Sequence, residues 1–228
     1  MTGRIFGFTP SPLSAREIAA TVLTAPDGLR LVVTANIDHI ARLRRDAAFA
    51  AAYAAAAIVT CDGFPVARFA RLRGCAVPGR VTGCDIAAAL LRAPDLHRVQ
   101  ALFFAVDTAA TAARLTDWAA ARGLAARTAI AVVPRQFQQR PDAQRALAQR
   151  IRDHGTTLLL MGIGAPRSEI FVHAHRHALP PCWALCVGQA LRIEMGLIPR
   201  APAAWQFLNL EWLWRLLLEP RRLAGRYA

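Results

Sequence analysis

Six short apolar runs recur along the chain, at Leu31–Thr34, Ile58–Thr60, Ala101–Val106, Ala129–Val133, Leu158–Met161 and Trp183–Val187. Most are continuous in apolar residues rather than alternating with polar ones, which predicts strands covered on both faces. The segments between them are long enough for crossover helices. The chain therefore reads as α/β, with a Rossmann-like, mostly parallel sheet flanked by helices. Its 228 residues suit one domain, or one domain with a short appendage, and need no covalent staples to fold. Ser14-Ala15-Arg16-Glu17 has the form of a capping box opening the first helix.

Ala47 to Cys61 is uncharged and apolar, but shorter than the roughly 20 residues of a membrane span. It divides better into a buried Ala-rich helix and the strand beginning at Ile58, so no transmembrane helix is predicted. After Ile198-Pro199-Arg200-Ala201-Pro202 the α/β rhythm stops. Trp205, Leu208, Trp212 and Leu216 then share one helical face, and Glu211, Arg215 and Glu219 form an i,i+4 ladder. Pro220 ends the helix, and Arg221, Arg222, Arg226 and Tyr227 follow. The division expected is a catalytic domain over residues 1–199 and a C-terminal helical appendage over 200–228.

The formal charge of +13 comes entirely from arginine, since all 28 basic residues are Arg. Such an excess suits an anionic partner: a nucleotide, a nucleic acid or an anionic membrane leaflet. The arginines are spread along the chain without a basic run, which argues against nucleic acid. Cysteines stand at 61, 75, 84, 182 and 186. Their odd number, the lack of a CxxC pair and an amino terminus read as having no secretory leader point to reduced thiols in a cytoplasmic setting.

Polar residues just beyond strand ends are the functional suspects in an open α/β sheet, because ligands bind outside the carboxyl ends of its strands. Thr34-Ala35-Asn36 ends the first strand, where an Asx turn is the structural alternative. Cys61-Asp62-Gly63 follows the second, and Asp62 is either a general base facing a cleft or a helix cap. Arg80 lies between Gly79 and Gly83, where a guanidinium and nearby backbone can meet a phosphate; an ordinary glycine turn is the other reading. Met161 to Glu169 runs from a strand through Gly162 and Gly164 into a helix near Pro166, a geometry that offers backbone N–H groups to an anion. His173, His175 and His177 suggest a metal, but only two of them would share a helical face, so solvated histidines are preferred.

Taken in order, Thr34-x-Asn36, Cys61-Asp62-Gly63, Arg80-Val81-Thr82-Gly83, Gly164-Ala165-Pro166-Arg167-x-Glu169, Val187-Gly188, Arg200-Ala201-Pro202 and the Leu210 to Arg222 string resemble one known family. The chain is similar to the WecG/TagA/CpsF glycosyltransferases, glycosyltransferase family 26, from about Ile5 to Tyr227. The resemblance implies inverting transfer of a sugar from a UDP-sugar to an undecaprenyl-diphosphate-linked acceptor in surface polysaccharide or teichoic acid assembly, with no metal and no cofactor. It implies Asp62 as general base, Thr34 and Asn36 in the sugar pocket and Arg80 on the departing diphosphate. Gly164, Pro166, Ser168, Glu169 and Gly188 would complete the substrate site, with Arg215 and Arg222 of the appendage reaching for phosphate. A peripheral position on the inner face of the cell membrane is expected, and self-association is left open.

Three positions depart from the family's usual residues: Ser168 stands for Gln, Val106-Asp107 for a Gly pair, and Leu191-Arg192 for Phe-Asp. They bear on donor identity. They also motivate an alternative, a catalytically impaired member acting as a binding subunit of a polysaccharide-assembly complex.

Overall fold

The computed structural model describes residues 3–202, 204–205 and 211–218. All six predicted strands are present: β1 (Arg30–Ala35), β2 (Ile58–Cys61), β3 (Leu102–Val106), β4 (Thr128–Val132), β5 (Leu158–Gly162) and β6 (Trp183–Cys186). They form one sheet in the order β2-β1-β6-β5-β3-β4, with every pairing parallel. The observed fold is thus the α/β, Rossmann-like arrangement that the apolar runs predict.

The helices that join the strands are α1 (Ala15–Thr21), α2 (Ile37–Leu43), α3 (Ala47–Ala54), α4 (Phe64–Leu72), α5 (Gly83–Leu91), α6 (Ala109–Ala121), α7 (Pro141–Asp153), α8 (Arg167–Ala174) and α9 (Ala190–Glu194). Strand residues alternate between two cores. Leu31, Val33, Phe103, Leu159 and Ala184 pack with α3, α4, α7 and α8 on one face. Val32, Phe104, Leu160 and Leu185 pack with α1, α5, α6 and α9 on the other. The crossovers into β2, β5 and β6 use the first face and the crossover into β4 uses the second, as right-handed βαβ connections require, while the long β2-to-β3 connection places α4 on the first face and α5 on the second.

Local signals explain the boundaries. Ser14 and Glu17 make the reciprocal capping box at the start of α1. Asp46 caps α3 through the Phe49 N–H, so the uncharged Ala47–Cys61 stretch divides into a helix and a buried strand. Among the described residues, no helix is long and apolar enough to cross a membrane. All five cysteines are buried and unbridged.

The chain separates into two compact units, Met1–Leu197 and Ile198–Ala228. In the second unit, Glu211–Leu218 is helical and the Trp205 and Trp214 rings meet edge to face, 5.5 Å between centroids. Leu208, Glu219, Pro220, Arg221, Arg222, Arg226 and Tyr227 lie outside the described residues, as do the side chains of Trp212, Arg215 and Leu216.

Candidate active site

The strand register brings the first two candidate segments side by side. Thr34 pairs with Thr60 and Ala35 with Cys61, so Asn36 and Asp62 emerge together just past the ladder. The Asp62 N–H donates to the Ala35 carbonyl at 2.8 Å and continues the pairing by one bond. A Cβ added to Gly63 would sit 3.7 Å from the Asn36 Cα, which shows how closely the two loops run.

Arg80 joins them through its neighbour. The Val81 N–H donates to the Cys61 carbonyl at 2.9 Å, and the Thr60 hydroxyl donates to the Val81 carbonyl at 2.9 Å. The backbone at Arg80 is therefore clamped beside Asp62, and both residues are half-buried. Asp62 does not cap the helix that follows: Gly63 occupies that position, and α4 begins without a side-chain cap. The amino end of α4 opens directly after Asp62, with the backbone of Arg80 alongside, and a carboxylate and an arginine at one mouth are residue types suited to proton abstraction and to phosphate.

Asn36 takes the structural role that an Asx turn predicts. Its Oδ1 accepts from the His39 N–H at 3.0 Å and caps α2, which leaves the side-chain amide nitrogen as its donor toward a ligand. Thr34 is buried at the end of β1. Thr82 and Asp85 form a reciprocal capping box at α5, so that helix end satisfies itself.

The β5 and β6 loops continue the same row. Gly83 is pressed against β6, where an added Cβ would meet the Val187 carbonyl oxygen at 3.0 Å; only glycine fits without a backbone shift. Gly188 has φ +55° and Gly164 φ +81°, and a Cβ on Gly188 would lie 3.8 Å from the Gly164 Cα. Pro166 follows a cis peptide and precedes α8. The β1, β2, α5, β6 and β5 termini thus form one glycine-rich rim at the carboxyl ends of the strands.

Ser168 and Glu169 sit behind this rim, 1% and 2% exposed. The Ser168 hydroxyl donates to the Gly164 carbonyl at 3.4 Å. Burial pushes the Glu169 carboxyl up to about 7, only partly offset by its own backbone N–H and by the Arg42 charge. Its Oε2 and the Arg42 Nε are buried and make no hydrogen bond among the described residues.

Glu169 belongs to a buried polar cluster that the sequence reading did not single out. His39 Nδ1 and the Tyr53 hydroxyl are 2.7 Å apart, and that hydroxyl donates to the Thr34 carbonyl at 3.2 Å. With the hydroxyl proton on that carbonyl, His39 Nδ1 is the donor to Tyr53. Burial holds the Tyr53 hydroxyl well above its ordinary range, helped by the charges of Glu169, Cys186 and Asp62. The signal in the sequence was a lone tyrosine in an otherwise alanine-rich helix. The cluster braces the end of β1 from beneath, and so fixes the loop that carries Asn36.

The departures from the family pattern fall near the same rim or beneath it. Asp107 follows β3, and its Oδ1 is buried without a hydrogen-bond partner among the described residues. Leu191 is buried against Gly162. The histidines are not gathered: α8 ends at Ala174, His175 Nδ1 pairs with the Phe171 carbonyl at 3.0 Å, and His177 is exposed beyond the helix. Among the described residues, no three His, Cys, Asp or Glu side chains are placed to hold a metal ion. A cavity of about 200 Å³ lies at the opposite, amino-terminal end of the strands, lined by Thr24, Arg98, Gln100 and Thr157. Its position argues against it as the reaction site, because ligand chemistry in open α/β sheets gathers at the carboxyl ends.

Comparison with known proteins agrees with this geometry. The family model described as Glycosyl transferase WecG/TagA/CpsF family matches residues 4–228. The chain belongs to the WecG/TagA/CpsF glycosyltransferase family. One curated relative is the N-acetylglucosaminyldiphosphoundecaprenol N-acetyl-beta-D-mannosaminyltransferase of Bacillus spizizenii (strain ATCC 23059 / NRRL B-14472 / W23). It is 26% identical over 200 residues, covering 84% of this chain and 72% of the relative. The resemblance read from Asp62, Arg80 and the C-terminal motifs is thereby shown, and the chain is a glycosyltransferase.

Proposed function

We propose that this WecG/TagA/CpsF family member moves a sugar from a UDP-sugar to a polyprenyl-diphosphate-linked acceptor in surface polysaccharide synthesis, at the inner face of the cell membrane. The observation that carries this reading is the clamp that sets Arg80 beside Asp62 at the mouth of β1 and β2. An inverting transfer needs a base on the acceptor side and positive charge where the leaving diphosphate gains negative charge. Asp62 takes the proton from the acceptor hydroxyl as its oxygen attacks the anomeric carbon. The bond to the UDP oxygen breaks on the opposite face, so the configuration inverts. Arg80 and the open amino end of α4 receive the departing charge, in the role a metal plays elsewhere.

Thr34 and the Asn36 amide contribute to the sugar pocket, and Gly164, Pro166 and Gly188 let the donor approach backbone. Ser168 and Glu169 act from behind by holding the β5 loop. Asp107 supplies an acceptor for donor hydroxyls, and Arg215 and Arg222 add positive charge to the diphosphate. The relative named above acts, by its name, on a diphosphoundecaprenol-linked sugar, which supports an acceptor of the same chemical kind here.

The reading is tested by isolating the lipid product and assigning its new linkage by NMR. One added sugar with the anomeric configuration opposite to that of the donor is the expected result; retention would remove the single-displacement mechanism. Arg80→Lys keeps the charge but loses the planar, two-pronged geometry. It is expected to lower kcat by about 10- to 100-fold with little change in acceptor KM, measured by steady-state UDP release. An unchanged kcat would take Arg80 off the leaving group.

The alternative, a binding subunit without turnover, is motivated by Ser168, Asp107 and Arg192. It predicts no UDP release with any donor and acceptor.

A further inference from the structure

The outer face of α4 and a strained turn near the amino terminus form an apolar, arginine-rich surface bordering the candidate site. Ile5 and Phe8 exchange both backbone hydrogen bonds at 2.9 Å, so Phe6 and Gly7 form the tip of a tight turn. Phe6 adopts φ +48°, a left-handed conformation rare for a bulky side chain. The Arg4 guanidinium locks the tip by donating to the Gly7 carbonyl, at 2.6 Å from Nη2. Despite that cost, the turn holds a phenylalanine out at the surface, and strain of this kind is retained where something over-determines it.

Phe6 stacks on Phe69 of α4, 5.0 Å between ring centroids, and both rings stay more than a third exposed. Phe64 and Leu72 extend the same helix face, Leu72 at 76% exposure. At helical spacing Phe64, Arg68 and Leu72 form one stripe, with Pro65 and Phe69 beside it, while Val66, Ala67 and Ala70 face the core. Arg68, Arg71 and Arg73 are exposed among these apolar groups. No Asp or Glu occurs between Asp62 and Asp85. The surface adjoins the reaction mouth: α4 starts directly after Asp62-Gly63, and the Arg71 Nη2 lies 3.2 Å from where a Gly79 Cβ would sit.

We propose that this surface docks on an anionic lipid bilayer, with Phe6, Phe69 and Leu72 at the acyl boundary and Arg68, Arg71 and Arg73 among the headgroups. It deepens the proposed function, on which it rests, by naming a contact in the catalytic unit that turns the Asp62 mouth toward a lipid-linked acceptor. Charge complementarity selects the occupant. A second copy of the chain would bring two sets of arginines together with no acid on the face to offset them, whereas an anionic bilayer neutralises both apolar and basic elements.

The test uses the full chain and sedimentation with vesicles of mixed phosphatidylglycerol and phosphatidylethanolamine, against phosphatidylcholine alone. The double variant F69S/L72S is expected to partition onto anionic vesicles at least about tenfold more weakly. R68Q/R73Q should bind roughly 25-fold more weakly and with a shallower salt dependence, at about fivefold per arginine near such a surface. Both variants should release UDP at the parental rate with a short-chain, water-soluble diphosphate acceptor. Loss of vesicle binding in both supports the surface even if no acceptor gives transfer, in which case the proposed function fails alone. Undiminished vesicle binding in both overturns the surface, whatever the acceptor result. A changed sedimentation coefficient with unaltered vesicle binding also overturns it, in favour of self-association.

Discussion

Asp62→Asn is expected to cut sugar transfer by about 10²- to 10⁴-fold, the range lost when a positioned general base is removed. The substitution keeps shape and volume but cannot accept the acceptor's proton. The backbone bond from the Asp62 N–H to the Ala35 carbonyl is untouched, and the side chain is half-buried rather than packed in the core. Thermal unfolding and UDP binding should therefore match the parent, which separates a chemical defect from a folding one. Transfer within tenfold of the parent would remove Asp62 from the mechanism. Because Gly63 rather than Asp62 caps α4, the loss cannot be assigned to a weakened helix start.

Glu169→Gln is expected to change how stability depends on pH. Burial raises the folded-state pKa of Glu169 from 4.5 to about 7. An acid whose pKa is raised on folding binds its proton more tightly in the native state, so its contribution falls as pH rises from about 4.5 to about 7. Above that window the ionised, buried carboxylate costs about 3 kcal/mol relative to the unfolded chain. Glutamine carries no such cost. Urea unfolding should show the variant more stable than the parent by up to about 3 kcal/mol at pH 8, with the difference largely gone at pH 5. Comparing the two proteins at each pH cancels the titration of groups they share. A stability difference that does not vary with pH would show that Glu169 is neither protonated nor desolvated as the geometry implies. Since the same cluster braces the end of β1 through Tyr53 and the Thr34 carbonyl, a more stable variant with slower transfer is the further expectation.

Much of the fold was legible because buried parallel strands leave a signal of their own. Six apolar runs gave six strands, with ends shifted by one residue at most sites. The Ser14–Glu17 box and the split of the Ala-rich stretch were equally readable, since caps and uncharged helix-strand junctions act locally. The candidate site was legible as four separate segments: Thr34 to Asn36, Asp62, Arg80 and Met161 to Glu169. Sequence spacing could not join them, because their meeting depends on strand order, and β1 pairs with both β2 and β6. Asn36 illustrates a residue whose local role was equally readable, with its Oδ1 spent on capping α2 as an Asx turn predicts.

What escaped the sequence reading was burial and exposure against type. Glu169 looks like an ordinary acid in the first turn of a helix, yet α8 holds it buried, with the Arg42 charge only partly offsetting that burial. Phe64, Phe69 and Leu72 look like core residues at helical spacing, yet α4 buries Val66, Ala67 and Ala70 instead. Periodicity finds an apolar stripe but does not say which of two stripes faces inward. The histidines, read from the sequence as solvated rather than metal-binding, do not share a helix, because α8 ends at Ala174.

The central claim is that the Asp62 and Arg80 mouth transfers a sugar from a UDP donor to a diphosphate-linked lipid. Its most direct test is UDP release by the unmodified chain across a panel of UDP-sugars, with and without an undecaprenyl-diphosphate-linked saccharide. Release with at least one donor, strictly dependent on the acceptor, is the predicted result. No release with any donor, from protein that binds UDP and remains folded, would contradict it and leave the binding-subunit reading in its place.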